Sequence, residues 1–161
     1  MTVQHVIFWR HAEADELDVP PGSARDMERA LTRTGQRDAI RVAAWIKTHL
    51  PKPRLVVSSP ALRARQTALA LTDDPLLDPR LAPDTSADQL LRALDEHGRD
   101  CAVLVLVGHQ PHIGRAALRW ISGCDTAFGL RKGGLIWCAS RDRSDGNARI
   151  LRAAITPDLV D

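Results

Sequence analysis

Residues 102–107 read Ala-Val-Leu-Val-Leu-Val, six apolar positions in a row with no polar interruption. A run of that length and β-branched character fits a central strand covered on both faces, as in a parallel sheet packed between helices. The flanking sequence agrees. Val3–Trp9 and Arg54–Ser58 read as further strands, Leu135–Ala139 as a fourth and Arg149–Ile155 as a fifth. Ser144-Asp145-Gly146-Asn147, between the last two, is turn chemistry and predicts a hairpin.

Helical patterns fill the gaps. Behind Thr32, a capping residue, Ala39, Ile40, Ala43, Ala44 and Ile46 recur at helical spacing to about Leu50, where Pro51 and Pro53 stop the helix. Pro60 opens the next, through Leu62, Leu69 and Leu71. Ser86 and Gln89 have capping-box spacing ahead of Leu90, Leu91 and Leu94, and Gly98 sits at a C-cap. Pro111 opens a last helix carrying Ile113, Ala116, Ala117, Trp120 and Ile121, ended by Gly123. Strands alternating with helices predict a three-layer α/β sandwich with a mostly parallel central sheet. Residues 15–30 and 73–85, rich in Pro and Asp, read as loops.

Length and charge narrow the class. At 161 residues the chain suits one domain spanning 1–161, and no apolar run approaches the roughly 18 residues of a membrane span. The apolar stretch at residues 6–9 lacks a preceding basic region and runs into Arg10-His11, so it is not read as a signal peptide; a cytoplasmic protein is expected. Of 22 basic residues three are lysine and therefore 19 arginine, interleaved with Asp along the chain. No basic tract argues for nucleic acid, and no membrane partner is expected. Cys101, Cys124 and Cys138 are odd in number and scattered, which fits neither a disulfide framework nor a zinc site.

The chemistry collects where strands end. The first strand runs into Arg10-His11, the second into Ser58-Ser59-Pro60 with Arg63 one turn on, and the third into Gly108-His109. In open α/β sheets ligands bind outside the carboxyl ends of the strands, beside helix N-termini. Two histidines and two arginines directed there suit an anion with several oxygens, and phosphate leads. The arginine beside His11 disfavours its protonation.

These segments resemble a known family. Arg10-His11-Ala12-Glu13-Ala14 resembles the Arg-His signature of the histidine phosphatase superfamily, whose fold is phosphoglycerate mutase-like. Residues 58–68, from Ser58-Ser59-Pro60 through Arg63 to Gln66-Thr67-Ala68, resemble its second motif, and Val107-Gly108-His109-Gln110-Pro111 its third. Arg29-Ala30-Leu31-Thr32 followed by Gly35 matches a further landmark. The short chain is most similar to the SixA-type protein-phosphohistidine phosphatases. The resemblance implies His11 as nucleophile, forming a phosphohistidine intermediate. It also implies Arg10, Arg63 and His109 as catalytic residues that bind the phosphoryl oxygens, with no metal and no cofactor.

Two departures bear on substrate. Mutases and bisphosphatases of the superfamily carry an Asn shortly after the first motif, where this chain has Asp15-Glu16-Leu17. They also supply a Glu as general acid after the second motif; residues 73–85 contain none, and Asp84 is the substitute on offer. Missing acid help matters least when the leaving group is already good, as imidazole is. The expectation is a metal-independent phosphatase acting on phosphohistidine in a partner protein, such as a histidine phosphotransfer domain, and working as a monomer or weak dimer. A small-molecule phosphomonoesterase is the alternative. A silent phosphate-binding module and a histidine-based metal hydrolase are less favoured, the latter for want of clustered ligands. Among other residues, Ser58 and Ser59 read as turn or cap residues and Arg65 as solvent-facing or ion-paired. His5 reads as structural, His49, His97 and His112 as surface residues, and the four tryptophans as core.

Overall fold

Strand β4 (Val103–Gly108) is buried along its whole length, as its apolar run demands. The computed structural model describes residues 3–52, 54–141 and 148–160, and places β4 inside a six-stranded sheet. Strands β1 (His5–Arg10) and β2 (Leu55–Ser58) flank it, both parallel to it. The order is β3-β2-β4-β1-β5-β6, where β3 is Leu76–Leu77, β5 is Leu135–Arg141 and β6 is Ala148–Ile155. β3 continues the parallel set, whereas β5 runs antiparallel to β1 and β6 antiparallel to β5. The predicted α/β architecture with a mostly parallel core stands. The turn predicted at 144–147 lies outside the described residues.

Helices cover both faces. On one, Leu90 and Leu94 of α4 (Ala87–His97) and Ile113, Ala116 and Trp120 of α5 (His112–Ser122) pack on Val6, Phe8, Leu104 and Leu106. On the other, Val42, Ala43 and Ile46 of α2 (Arg33–His49) and Ala64 and Ala68 of α3 (Leu62–Leu69) pack on Ile7, Trp9, Val103 and Val105. Alternate residues of each central strand thus enter opposite cores, as the period-2 pleat requires. Trp9, Trp120 and Trp137 are buried, while Trp45 is half-buried and stacks on His49 at 4.3 Å.

The caps follow the sequence. Thr32 Oγ1 accepts from Gly35 N–H (3.0 Å) and Ser86 Oγ from Gln89 N–H (3.3 Å). Gly35 is required for packing: a Cβ there would lie 2.0 Å from the Glu13 carbonyl oxygen. Pro60 stands before the cap of α3, where Ala61 is the N-cap, rather than inside the first turn. Three short elements fall in segments read as loops: β3, only two residues long, a 3-10 turn at Pro79–Leu81, and α1 (Ala24–Met27), a single turn capped by Ser23. None is long enough to show a hydrophobic period. Among the described residues no helix is long and apolar enough to cross a membrane, and the three cysteines are free.

Candidate active site

Three parallel strands end level with one another. Arg10 lies opposite Gly108 and Ser58 opposite Val107, so the next residue on each strand, His11, His109 and Ser59, emerges at one edge of the sheet. The ladder runs one step further: His11 N–H donates to Gly108 O (3.0 Å) and Ser59 N–H to Val107 O (2.9 Å). The His11 and His109 rings stand 5.0 Å apart, centroid to centroid, and both are buried. Arg63, in the first turn of α3, is also buried, and Arg10 donates from Nη1 to Leu130 O (2.7 Å). The four residues expected at the site therefore come together.

His11 is held in one tautomer. Its Nδ1 is 2.7 Å from the Ala12 carbonyl oxygen, which can only accept, so Nδ1 carries the proton and Nε2 keeps its lone pair. Thr67 Oγ1 fixes the adjoining backbone: it accepts from Ala12 N–H (3.0 Å) and donates to Arg63 O (2.8 Å). Burial drives the His11 pKa down, against the Ala12 bond, which raises it. The charges of Arg63, Arg10 and Arg29 add to the depression, and the value falls to about 3. His109 is pushed far below the usual histidine range by burial first, then by His11 and Arg63. Both rings are neutral near pH 7.

Sequence reasoning passed over four contributors. Asp26, on α1, is buried and takes hold of Arg63 twice. Arg63 Nη1 donates to the Asp26 main-chain oxygen (2.7 Å) and Nη2 to Oδ2 (3.2 Å). Arg29 donates from Nη1 to Asp26 Oδ1 (3.2 Å) and acts electrostatically on both histidines. Ser59 Oγ accepts from Ala61 N–H (3.2 Å) and lies 2.8 Å from His109 Nε2, so it is a ring partner as well as a turn residue. Thr67 is the fourth. Ser23-x-x-Asp26 has capping-box spacing and Asp26-x-x-Arg29 is an i,i+3 pair, so a signal for α1 was present.

Four of the five buried nitrogens without a hydrogen-bond partner among the described residues belong to side chains of this region: Arg10 Nε, Arg29 Nε, Arg63 Nε and His109 Nδ1; the fifth is Arg54 Nε. Buried polar groups are ordinarily bonded, and three unpartnered guanidinium N–H groups in one region are the donor set that an anion with several oxygens would use. Beside it lies a cavity of about 510 Å³ lined by Glu16, Leu17, Asp18, Arg29 and Lys132. Among the described residues no cluster of three or more His, Cys, Asp or Glu is arranged to hold a metal ion.

The remaining residues sort clearly. Asp84 is exposed and packs against Gly22, where an added Cβ would come within 2.5 Å of its carboxyl carbon. His112 is half-buried and hydrogen-bonds the Pro83 carbonyl, so it is not a free surface residue. His97 likewise departs from expectation: its Nε2 bonds Asp78 Oδ2 at 2.8 Å, a partner 19 positions away. His5 accepts from Trp137 Nε1 (3.2 Å), and Arg65 is exposed, as expected.

Comparison with known proteins places this geometry. The model of the histidine phosphatase superfamily (branch 1) matches residues 6–84. An uncharacterized protein of Mycobacterium tuberculosis is 32% identical over 126 residues, covering 76% of this chain and 77% of that protein. The structure of a SixA protein from Agrobacterium tumefaciens superposes with TM-score 0.77 at 25% identity, over 98% of this chain and 100% of that one. A phosphoserine phosphatase from Entamoeba histolytica, bound to 3-phosphoglyceric acid, superposes with TM-score 0.68 at 19% identity, over 97% and 98%. The motifs at strand ends, the superfamily match over β1 to Asp84 and the SixA-like fold agree, and the chain belongs to the histidine phosphatase superfamily.

Proposed function

We propose that this phosphatase transfers the phosphoryl group of a phosphohistidine in a partner protein to its own His11, and then to water. The observation that carries the reading is the His11–Ala12 bond, which fixes the proton on Nδ1 and leaves Nε2 as a neutral nucleophile. Nε2 attacks phosphorus as the bond to the substrate imidazole breaks, giving phosphohistidine at His11. Water then attacks that phosphorus in line, and orthophosphate and free His11 result. Arg10, Arg63 and His109 bind the three phosphoryl oxygens, and the unpartnered Arg29 Nε joins them. Phosphoryl transfer asks for little beyond such positioning and charge neutralisation.

The surroundings favour a good leaving group on a large substrate. Asp78, one acid of the 73–85 segment, is committed to Arg80 and His97, and Asp84 stands exposed at the rim. Neither is a carboxyl group buried to stay protonated, so an alkoxide would leave unaided, whereas imidazole needs little help. Residues 15–30 fold down through α1 onto Arg63, an arrangement that supports access by a protein-borne phosphoryl group. The resemblance to SixA supports the same substrate.

The test is turnover of a phosphorylated histidine phosphotransfer domain beside a panel of aryl and alkyl phosphates, with a chelator present. The reading expects the phosphohistidine protein to be the best substrate and the chelator to have no effect. An alkyl ester as best substrate would replace it with small-molecule phosphomonoesterase activity.

A further inference from the structure

The loop that carries Asp26 does more than border the crevice. Asp26 is 2% exposed, and each of its carboxylate oxygens serves a different arginine: Oδ1 takes Arg29 Nη1 and Oδ2 takes Arg63 Nη2, both at 3.2 Å. Its own carbonyl takes Arg63 Nη1 at 2.7 Å, so two atoms of one residue grip both terminal nitrogens of that guanidinium. A planar group held at two points has its plane fixed. The buried nitrogens of these two side chains left without a partner among the described residues are Arg63 Nε and Arg29 Nε, which take no part in the clamp.

Asp26 is itself held. Gly22 N–H donates to Oδ2 (2.9 Å) and Ser23 Oγ accepts from its amide (3.3 Å), which anchors α1 at the mouth of the crevice. Gly22 takes φ +79°, the left-handed turn that brings its amide round to this carboxylate. A buried carboxylate is costly unless paired. Burial alone would raise its pKa, yet the Gly22 bond and the two arginines reverse that and keep it ionised. A lone structural ion pair would not require one carboxylate to be divided between two arginines that both act on His11.

We infer that Asp26 is a positioning residue: it aims Arg63 and Arg29, through their Nε edges, at the phosphoryl group in the His11 crevice. The inference rests on the reading that this crevice takes a phosphoryl group, and it assigns the two-arginine arrangement to a residue outside the recognised motifs. Arg29 touches the anion directly; Asp26 acts only through the two guanidiniums.

The test is a double-mutant cycle with 4-nitrophenyl phosphate as substrate, and orthophosphate binding measured by calorimetry. Asp26→Asn should lower kcat by about 10- to 100-fold with KM within about 3-fold, because misaim is felt most in the transition state. In an Arg63→Ala background the same substitution should cost less than about 3-fold further. Arg29→Ala, at a position partly open to solvent, should weaken orthophosphate binding about 10-fold even if the Asp26 variant fails to fold. Three results would overturn the inference: kcat within about 3-fold for Asp26→Asn, the same factor lost with and without Arg63, or unchanged orthophosphate affinity in Arg29→Ala. Calorimetry needs no assumption about the substrate. If phosphohistidine is not turned over but these dependences hold, the substrate reading fails and the role of Asp26 stands.

Discussion

Asp26 and Asp78 are both buried carboxylates with an arginine beside them, yet they leave those arginines in opposite states. Every nitrogen of Arg80 is engaged: Nε and Nη2 reach Asp78 at 2.6–3.1 Å and Nη1 reaches Glu96 at 2.7 Å, while His97 Nε2 joins them at Asp78 Oδ2. Arg63 and Arg29, clamped by Asp26, each keep a buried Nε without a partner. The first cluster ties the end of β3 to α4, and every nitrogen of its arginine already has a carboxylate partner. The second faces the ring of His11 and holds donors in reserve. A buried ion pair is weak evidence of function by itself. What separates these two is the inventory of donors left over.

The comparison is broken most forcefully at the nucleophile. His11→Ala should abolish turnover while leaving the melting temperature nearly unchanged, since the residue lies just past a strand end and faces a crevice. Parent enzyme quenched in alkaline denaturant should carry base-stable, acid-labile phosphate on His11. An active alanine variant would move the chemistry elsewhere and empty the Asp26 cluster of its meaning. Next in size, Arg63→Ala should lower kcat at least ~100-fold, and Arg63→Lys should recover little because an ammonium cannot reproduce the fork. Arg10→Ala should behave alike. Arg80→Ala, by contrast, should leave kcat within about 3-fold and lower Tm by roughly 2–6 °C. Equal kinetic damage at Arg63 and Arg80 would erase the distinction between the open and the closed cluster.

The strand-end chemistry was legible because its spacing is local. His11, Arg63 and His109 each sit within a few residues of an apolar run, so the register of β1, β2 and β4 could be anticipated from three separate segments. The clamps were not. Asp26 and Arg63 are 37 positions apart and meet only because α1, four residues long, folds back onto α3. His97 has the sequence context of a helix C-terminus, and its bond to Asp78 depends on β3, a strand too short to carry a pattern. Periodicity reports which face of an element is buried; it is silent about which polar groups meet across loops.

A smaller effect should separate the clusters by pH. Burial would raise the Asp78 pKa, but hydrogen bonds from Arg80 and His97 more than reverse this and hold it at about 2, against 3.8 ordinarily. The folded state thus binds fewer protons than the unfolded chain between those values. The stabilisation, about 2 kcal/mol, is complete above about pH 4 and disappears as pH falls to about 2. Denaturant titrations of Asp78→Asn and parent should differ by that amount at pH 6, and the difference should shrink to well under half by about pH 2.5. A constant difference across the range would assign the loss to packing. No activity change should accompany it at pH 6, because Arg63, Arg29 and His11 are untouched.

The smallest expected effect is at Asp84, which belongs to neither cluster. It is exposed, lies against Gly22 and has no ion-pair partner among the described residues. An acid that must protonate a leaving alkoxide works best in a buried position against the leaving group, and Asp84 is exposed. Asp84→Asn should therefore change phosphohistidine and aryl phosphate turnover by less than about 3-fold. Alkyl phosphates should already be slower in the parent by ~100-fold or more, the usual size of general-acid help. The two measurements constrain one another. If Asp84→Asn costs as much as His11→Ala, Asp84 is an essential acid and the preference for good leaving groups has another cause. If alkyl and aryl esters turn over alike in both proteins, proton delivery comes from a different group, and His109, with its unpartnered Nδ1, becomes the residue to test.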